Sequence, residues 1–198
     1  MSYSRIGSHS DIAARNDVMR LLRGDHERVL QEFREFERLE SLHAGQACER
    51  VAQRTFAELK VLAGVEQQLF YPAVHDAIAG TDLIDQSQIE HARIQRVITE
   101  LEAVEPGHAA YWRRFRTLGE YVRRHVEDEE GELFPMLSCV PLDWERLYEA
   151  MTSRRAELAE DLGVAHAPPL QRSRDIDLAP NDGAHYHDDD ELALAIER

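Results

Sequence analysis

The residues with chemistry to offer lie on helical stripes that ought to be apolar. One stripe runs Tyr111, Phe115, Leu118, Val122 in steps of three and four, the spacing of a single helix face. The next two places on it are His125 and Glu129. Spaced i, i+4, an imidazole and a carboxylate project together from the side that should pack inward. Burying them without partners is expensive, and a metal ion is the simplest partner for both. The same intrusion recurs three times. His26 interrupts Val18, Leu22, Val29, Phe33 and Phe36; Glu66 follows Val51, Phe56, Leu59 and Leu62 and precedes Leu69; His91 lies among Ile84, Ser87, Ile94, Ile98 and Leu101. A lone inward histidine is ordinarily a core residue. Three histidines and two glutamates in one layer point instead to a metal site. Such donors suit iron and manganese, and zinc is also accommodated.

The stripes define the elements that must position these groups. They predict helices over residues 17–39, 47–70, 83–104 and 109–131. Pro72 and Pro135 are expected to stop the second and fourth, Gly80 and Pro106-Gly107 to separate the others, and Gly24 to weaken the first near its start. Short connections favour an all-α, antiparallel up-down four-helix bundle. In that topology His26, Glu66, His91, His125 and Glu129 share one depth, ~9–15 Å from one end at ~1.5 Å of rise per residue. A fifth helix is expected over residues 142–162, with Trp144, Leu147, Met151, Leu158 and Leu162 inward. Residues 1–15 read as a flexible arm, residues 16–163 as the bundle with its appended helix, and residues 164–198 as an acidic, disordered tail.

An internal repeat sharpens the layer. Leu62, Glu66 and Pro72 recur as His125, Glu129 and Pro135 at a constant offset of 63 residues. Asp25-His26-Glu27-Arg28-Val29 recurs as Glu90-His91-Ala92-Arg93-Ile94 at an offset of 65. The chain reads as two copies of a helix pair. By this symmetry position 62 is where a fourth histidine would stand, and it is leucine.

These motifs resemble the hemerythrin-like HHE cation-binding domain over about residues 15–160. The resemblance rests on Asp25-His26, Glu66-Gln-Gln-Leu-Phe-Tyr-Pro72, Glu90-His91 and His125-x3-Glu129-Glu130-x3-Phe134-Pro135. It implies an antiparallel four-helix bundle holding a non-haem di-iron centre near one end. Glu66 and Glu129 would bridge the irons, His91 and His125 would ligate one, and His26 the other. The family usually has histidine where Leu62 stands and a Glu-Glu pair where this chain has Glu66-Gln67. Ser87 cannot supply the further histidine of the oxygen carriers. The iron beside His26 is therefore expected to lack a nitrogen ligand, which favours reactivity or sensing over reversible oxygen carriage.

The remaining sequence narrows the function. The 198 residues carry a formal net charge of −15, which argues against nucleic acid or an anionic membrane as partner. No apolar run approaches membrane-spanning length, and the first residues lack a signal-peptide core. Two cysteines, Cys48 and Cys139, make no disulfide framework, so a cytoplasmic location is expected. No nucleophile triad, phosphate loop or dinucleotide fingerprint is present. Asp25 and Glu90 read as outer or surface carboxylates. Glu127, Asp128 and Glu130 read as a solvated face, and His43, His75 and His108 as plain polar residues near connections. His185 and His187 beside Asp188-Asp190 read as part of a solvated tail. The expected function is a hemerythrin-like iron protein that senses or handles oxygen, peroxide or nitric oxide, or stores iron. The alternative is a metal-depleted bundle serving as an interaction module, with a protein partner engaged through the acidic tail.

Overall fold

The structure, a computed structural model, describes residues 9–78 and 82–164, with side chains from residue 11 onward. Most of the expected arm, the Gly80 turn and the acidic tail with His185 and His187 lie outside the described residues. Among those described the fold is all-helical, without strands. Five helices dominate: α1 (His9–Ser41), α2 (Gly45–Val65), α3 (Asp82–Glu102), α4 (Ala109–Asp128) and α5 (Trp144–Asp161). Residues 9–15, expected in the arm, are helical instead. Asp11 lies in the first turn, where a carboxylate favours the helix terminus. Ala13 and Ala14 are strong helix formers, and buried Ala14 extends the inner stripe one turn before Val18. Alanine carries too little apolar surface to announce that stripe in the sequence.

Pro72 and Pro135 do not stop their helices, contrary to expectation. α2 widens into a π-helical turn, Glu66–Phe70, and continues as Tyr71–His75. α4 does the same through Glu129–Leu133 into Phe134–Met136, then a 3-10 turn, Leu137–Cys139. The N–H of Tyr71 donates to the Glu66 carbonyl, and that of Phe134 to the Glu129 carbonyl, one residue further back than in an α-helix. A proline in a regular helix lacks its own donor and presses on the carbonyl four residues earlier. Widening the turn just before each proline relieves that clash. The inserted residue also shifts the inner face by one position. Phe70 is fully buried, while Leu69, the expected inner residue, is only partly buried.

α1 lies against α2, α3 against α4, α1 also against α4, and α5 across α1 and α2. Apart from Leu69, every inner residue expected on the first four helices is buried. Deep in the bundle Phe33, Phe36 and Phe56 surround Phe115, with ring centroids 5.1, 4.6 and 5.9 Å away. Gly119 lets α4 approach this cluster: a Cβ there would meet Phe33 Cδ1 at 2.9 Å. α5 opens with Asp143 accepting from the Arg146 N–H at 3.1 Å. Its inner face departs from expectation at the far end, where Arg155 and Ala159 are buried and Leu162 is exposed.

Candidate metal centre

Each of the three histidines turns Nε2 inward and fixes Nδ1 outward. His26 Nε2 lies 3.2 Å from Glu66 Oε1 and 3.2 Å from Glu129 Oε2, while its Nδ1 is 2.7 Å from Glu130 Oε1. His91 Nε2 lies 3.2 Å from Glu66 Oε2 and 2.9 Å from His125 Nε2, with Gln67 Nε2 3.2 Å from its Nδ1. His125 Nδ1 is 3.0 Å from Glu90 Oε2. All five expected ligands are buried, and the structure brings all five together. An outer carboxylate on Nδ1, Glu130 for His26 and Glu90 for His125, fixes the tautomer and aims Nε2 at the centre; the Gln67 amide does the same for His91 only with its oxygen, not its nitrogen, toward the ring.

The donors form two sets that share Glu66. Within Glu66, His91 and His125, and within His26, Glu66 and Glu129, the ligand atoms all lie within 4.8 Å of one another. Two donors held ~2.1 Å from one ion sit about 3.0 Å apart at a right angle and about 3.4 Å apart in a tetrahedron. The 2.9–3.2 Å separations around Glu66 and the histidines match that bite. Glu66 Oε2 and both oxygens of Glu129 are buried and accept no well-formed hydrogen bond among the described residues. Orphaned carboxylate oxygens at this depth are costly, and a cation is what they lack. The residues present therefore fit a metal pair.

The electrostatics agree. Burial opposes charge on His26, but the carboxylates of Glu129, Glu130 and Glu66 outweigh it and raise the pKa well above that of an ordinary imidazole. His125 is also raised, burial being overcome by its bond to Glu90. Fully buried Glu66 is nevertheless pulled below the usual carboxylate range by His26 and His91. Glu129 is pushed up by burial and by repulsion from Glu66. Two carboxylates sharing one pocket divide in this way, one keeping its charge and the other favouring a proton.

Two aromatic residues related by the repeat close the centre. Phe134 stacks on His26 at 6.1 Å, and Tyr71 meets His91 edge-on at 5.4 Å. The Tyr71 hydroxyl is 3.1 Å from His91 Nε2. Burial, with Glu66 and Glu129, drives its pKa well up, so it stays a protonated donor. Beyond Phe134 a surface cleft of about 430 Å³ opens between α1 and the end of α4, with Arg15, Arg20 and Arg23 on its walls. Arg23 Nε reaches Glu130 Oε2 at 3.2 Å.

Glu130, expected on a solvated face, is half-buried and holds His26. Its signal is the repeat, since Gln67 and Glu130 are equivalent and each directly follows a glutamate expected as a ligand. Tyr71 was likewise legible as the partner of Phe134. Glu90 serves as the expected outer carboxylate, whereas Asp25 pairs with arginines. Cys48 and Cys139 are free.

Among protein families, the Hemerythrin HHE cation binding domain matches residues 17–137. No curated protein matches the chain, and no solved structure does.

Proposed function

The chain belongs to the hemerythrin HHE cation-binding family, and from that premise we propose that it is a non-haem iron protein of the di-iron type. The observation that carries this reading is the convergence of three imidazole Nε2 atoms on two buried carboxylates, of which Glu66 Oε2 and both Glu129 oxygens accept no well-formed hydrogen bond among the described residues. His91 and His125, with Glu66, would hold one ion; His26, Glu66 and Glu129 would hold the other, with Glu66 common to both. Manganese and zinc fit the same donors.

Iron there would supply a redox-active Lewis acid with a position open to a small ligand. The protein's part is to orient and to exclude. Glu130, Gln67 and Glu90 fix the three rings. Phe70, Phe134 and Tyr71 keep bulk water away, and the Tyr71 hydroxyl offers a proton donor inside the pocket. Leu62, buried one turn before Glu66, leaves the His26 side with one nitrogen. That asymmetry supports sensing or handling of oxygen, peroxide or nitric oxide, or iron storage, over symmetric oxygen carriage.

The ion pairs support the antiparallel up-down four-helix arrangement. From Glu32–Arg54 to Arg28–Glu58 to His26–Glu66, the α1 partner moves backward as its α2 partner moves forward. Glu40–Arg116 and Arg23–Glu130 run the same way between α1 and α4 and its extension. Free cysteines support a reducing, cytoplasmic setting. Among the described residues no helix is long and apolar enough to cross a membrane.

The test is anaerobic reconstitution with Fe(II), followed by metal quantification and an absorption spectrum, for wild type, His125→Ala and His108→Ala. His125→Ala should lose most of the iron. Exposed His108 serves as the control and should lose none. Equal loss in both variants, or in neither, would refute the proposed layer. A wild type that takes up no iron, manganese or zinc would favour the alternative, an interaction module acting through the acidic tail.

A further inference from the structure

The repeat assigns every imidazole an outer partner by position, and one of its four places is filled differently. Gln67 and Glu130, equivalent at the offset of 63, hold Nδ1 of His91 and His26. Glu90 holds Nδ1 of His125. The equivalent of Glu90 at the offset of 65 is Asp25, and the equivalent of His125 at the offset of 63 is Leu62. Asp25 is thus a buried carboxylate, 4 % exposed, in the place that would accept from an imidazole at position 62. Leucine has no donor to give it.

The donor comes from outside the repeat. Arg155 of α5, itself 5 % exposed, sends Nε to both Asp25 oxygens at 2.9 and 3.0 Å. Arg28 of α1 pairs with the same carboxylate. Its repeat equivalent Arg93 does something else, resting 5.3 Å from the centre of the Tyr121 ring. Two guanidinium groups thus converge on Asp25, while Glu90 is met by His125 and Gln86. α5 is held down over α1 and α2 at this point, with Arg154 Nε on Gln68 Oε1 at 2.8 Å.

We propose that Arg155 replaces the missing imidazole as the N–H donor to Asp25, and that this exchange fixes the His26 half of the centre in its one-histidine form. Leu62 and Arg155 are then a matched pair. Without Arg155, leucine at 62 would leave buried Asp25 to Arg28 with no donor from the bundle's inner face, and Arg155 occupies the acceptor that a histidine at 62 would need. Arg155 is a positioning residue that sets how many nitrogens the second half of the centre can present. The iron readout below rests on the proposed metal centre; the stability readout does not.

A double-mutant cycle tests the pairing. Leu62→His, Arg155→Met and the double variant are compared with wild type, first metal-free by thermal melting, then by iron bound per chain after Fe(II) reconstitution. Arg155→Met should lower Tm by roughly 10 °C, because one partner of a buried charge pair is removed. Leu62→His alone should also lower Tm, since its imidazole meets a carboxylate already engaged by two guanidiniums. The double variant should melt at least ~5 °C above the additive expectation and should bind more iron than Leu62→His alone. Coupling on the metal-free protein without extra iron would support the exchange and count against the metal reading. Additivity within ~2 °C overturns the exchange whatever the iron content. If Arg155→Met does not fold, Arg155→Gln, which removes the charge and leaves only a shorter neutral amide, replaces it in the same cycle, with smaller shifts of the same sign and additivity again overturning the exchange.

Discussion

Glu130→Gln isolates the outer contact that the sequence concealed. The substitution keeps size and an oxygen able to accept from His26 Nδ1, now 2.7 Å from Glu130 Oε1, and removes only the charge. A hydrogen bond to a charged partner contributes ~1.5–3 kcal/mol net and a neutral one ~1 kcal/mol. The difference, about 0.5–2 kcal/mol, brackets a tenfold loss in affinity, the low end of the ~10–100-fold effect of outer partners on metal sites. Glu130 has 30 % of its side chain exposed, so the low end is the right expectation. The assay is anaerobic Fe(II) competition against a chelator of known affinity, with Glu127→Gln as an exposed control for the same charge change. A second readout needs no metal. Glu130 is one of the three carboxylates that raise the His26 pKa, so the NMR titration of that ring should move down. If Glu130→Gln binds iron within twofold of Glu127→Gln and leaves the His26 titration in place, the contact has no role in the site.

Three further outcomes follow from the geometry. Gly119→Ala should lower Tm by ~2–4 °C, since overpacking against Phe33 at ~1–3 kcal/mol outweighs a helix-propensity gain of ~1 kcal/mol; a Tm at or above wild type would show that Phe33 yields. His26 and His125 titrate above the ordinary 6.5 when folded, so their stabilisation of the metal-free protein is complete below that pH and is lost as pH rises through the raised values. Metal uptake must displace those protons, so affinity should rise with pH and uptake in weak buffer should acidify a pH indicator; uptake with no proton release would contradict this. Truncation after residue 166 should shift Tm by less than ~5 °C, because the remainder lacks apolar periodicity; a larger drop would mean that it packs on the bundle.

The fold was legible wherever apolar spacing alone decided it. The stripes of the first four helices and the depth of the five donors needed only a period of 3.6 residues. What stayed hidden depended on partners remote in sequence. Arg155 looks like a solvent-facing residue until Asp25, 130 positions away, is seen beneath it. Glu130 sits in a run of acids that any local reading assigns to water. The start of α1 was missed because alanine leaves too faint a stripe.

The way the two prolines are accommodated bears on the site. Proline ends a regular α-helix, but here each proline follows a π turn whose first residue is a proposed ligand glutamate. In a regular helix successive side chains diverge by about 100°, so the neighbour of an inward residue lies at the edge of the centre, as Glu90 does beside His91 in α3. In the widened turn both members of each pair contribute, Glu66 to the proposed ligand set and Gln67 to His91, Glu129 to the proposed ligand set and Glu130 to His26. The wide turns that accommodate Pro72 and Pro135 thus carry an inner carboxylate and an outer partner in succession, as regular α3 carries Glu90 and His91. Glutamate and proline six residues apart, occurring twice, thus mark one structure: the proline follows a wide turn, and the wide turn opens on the proposed ligand and its neighbour.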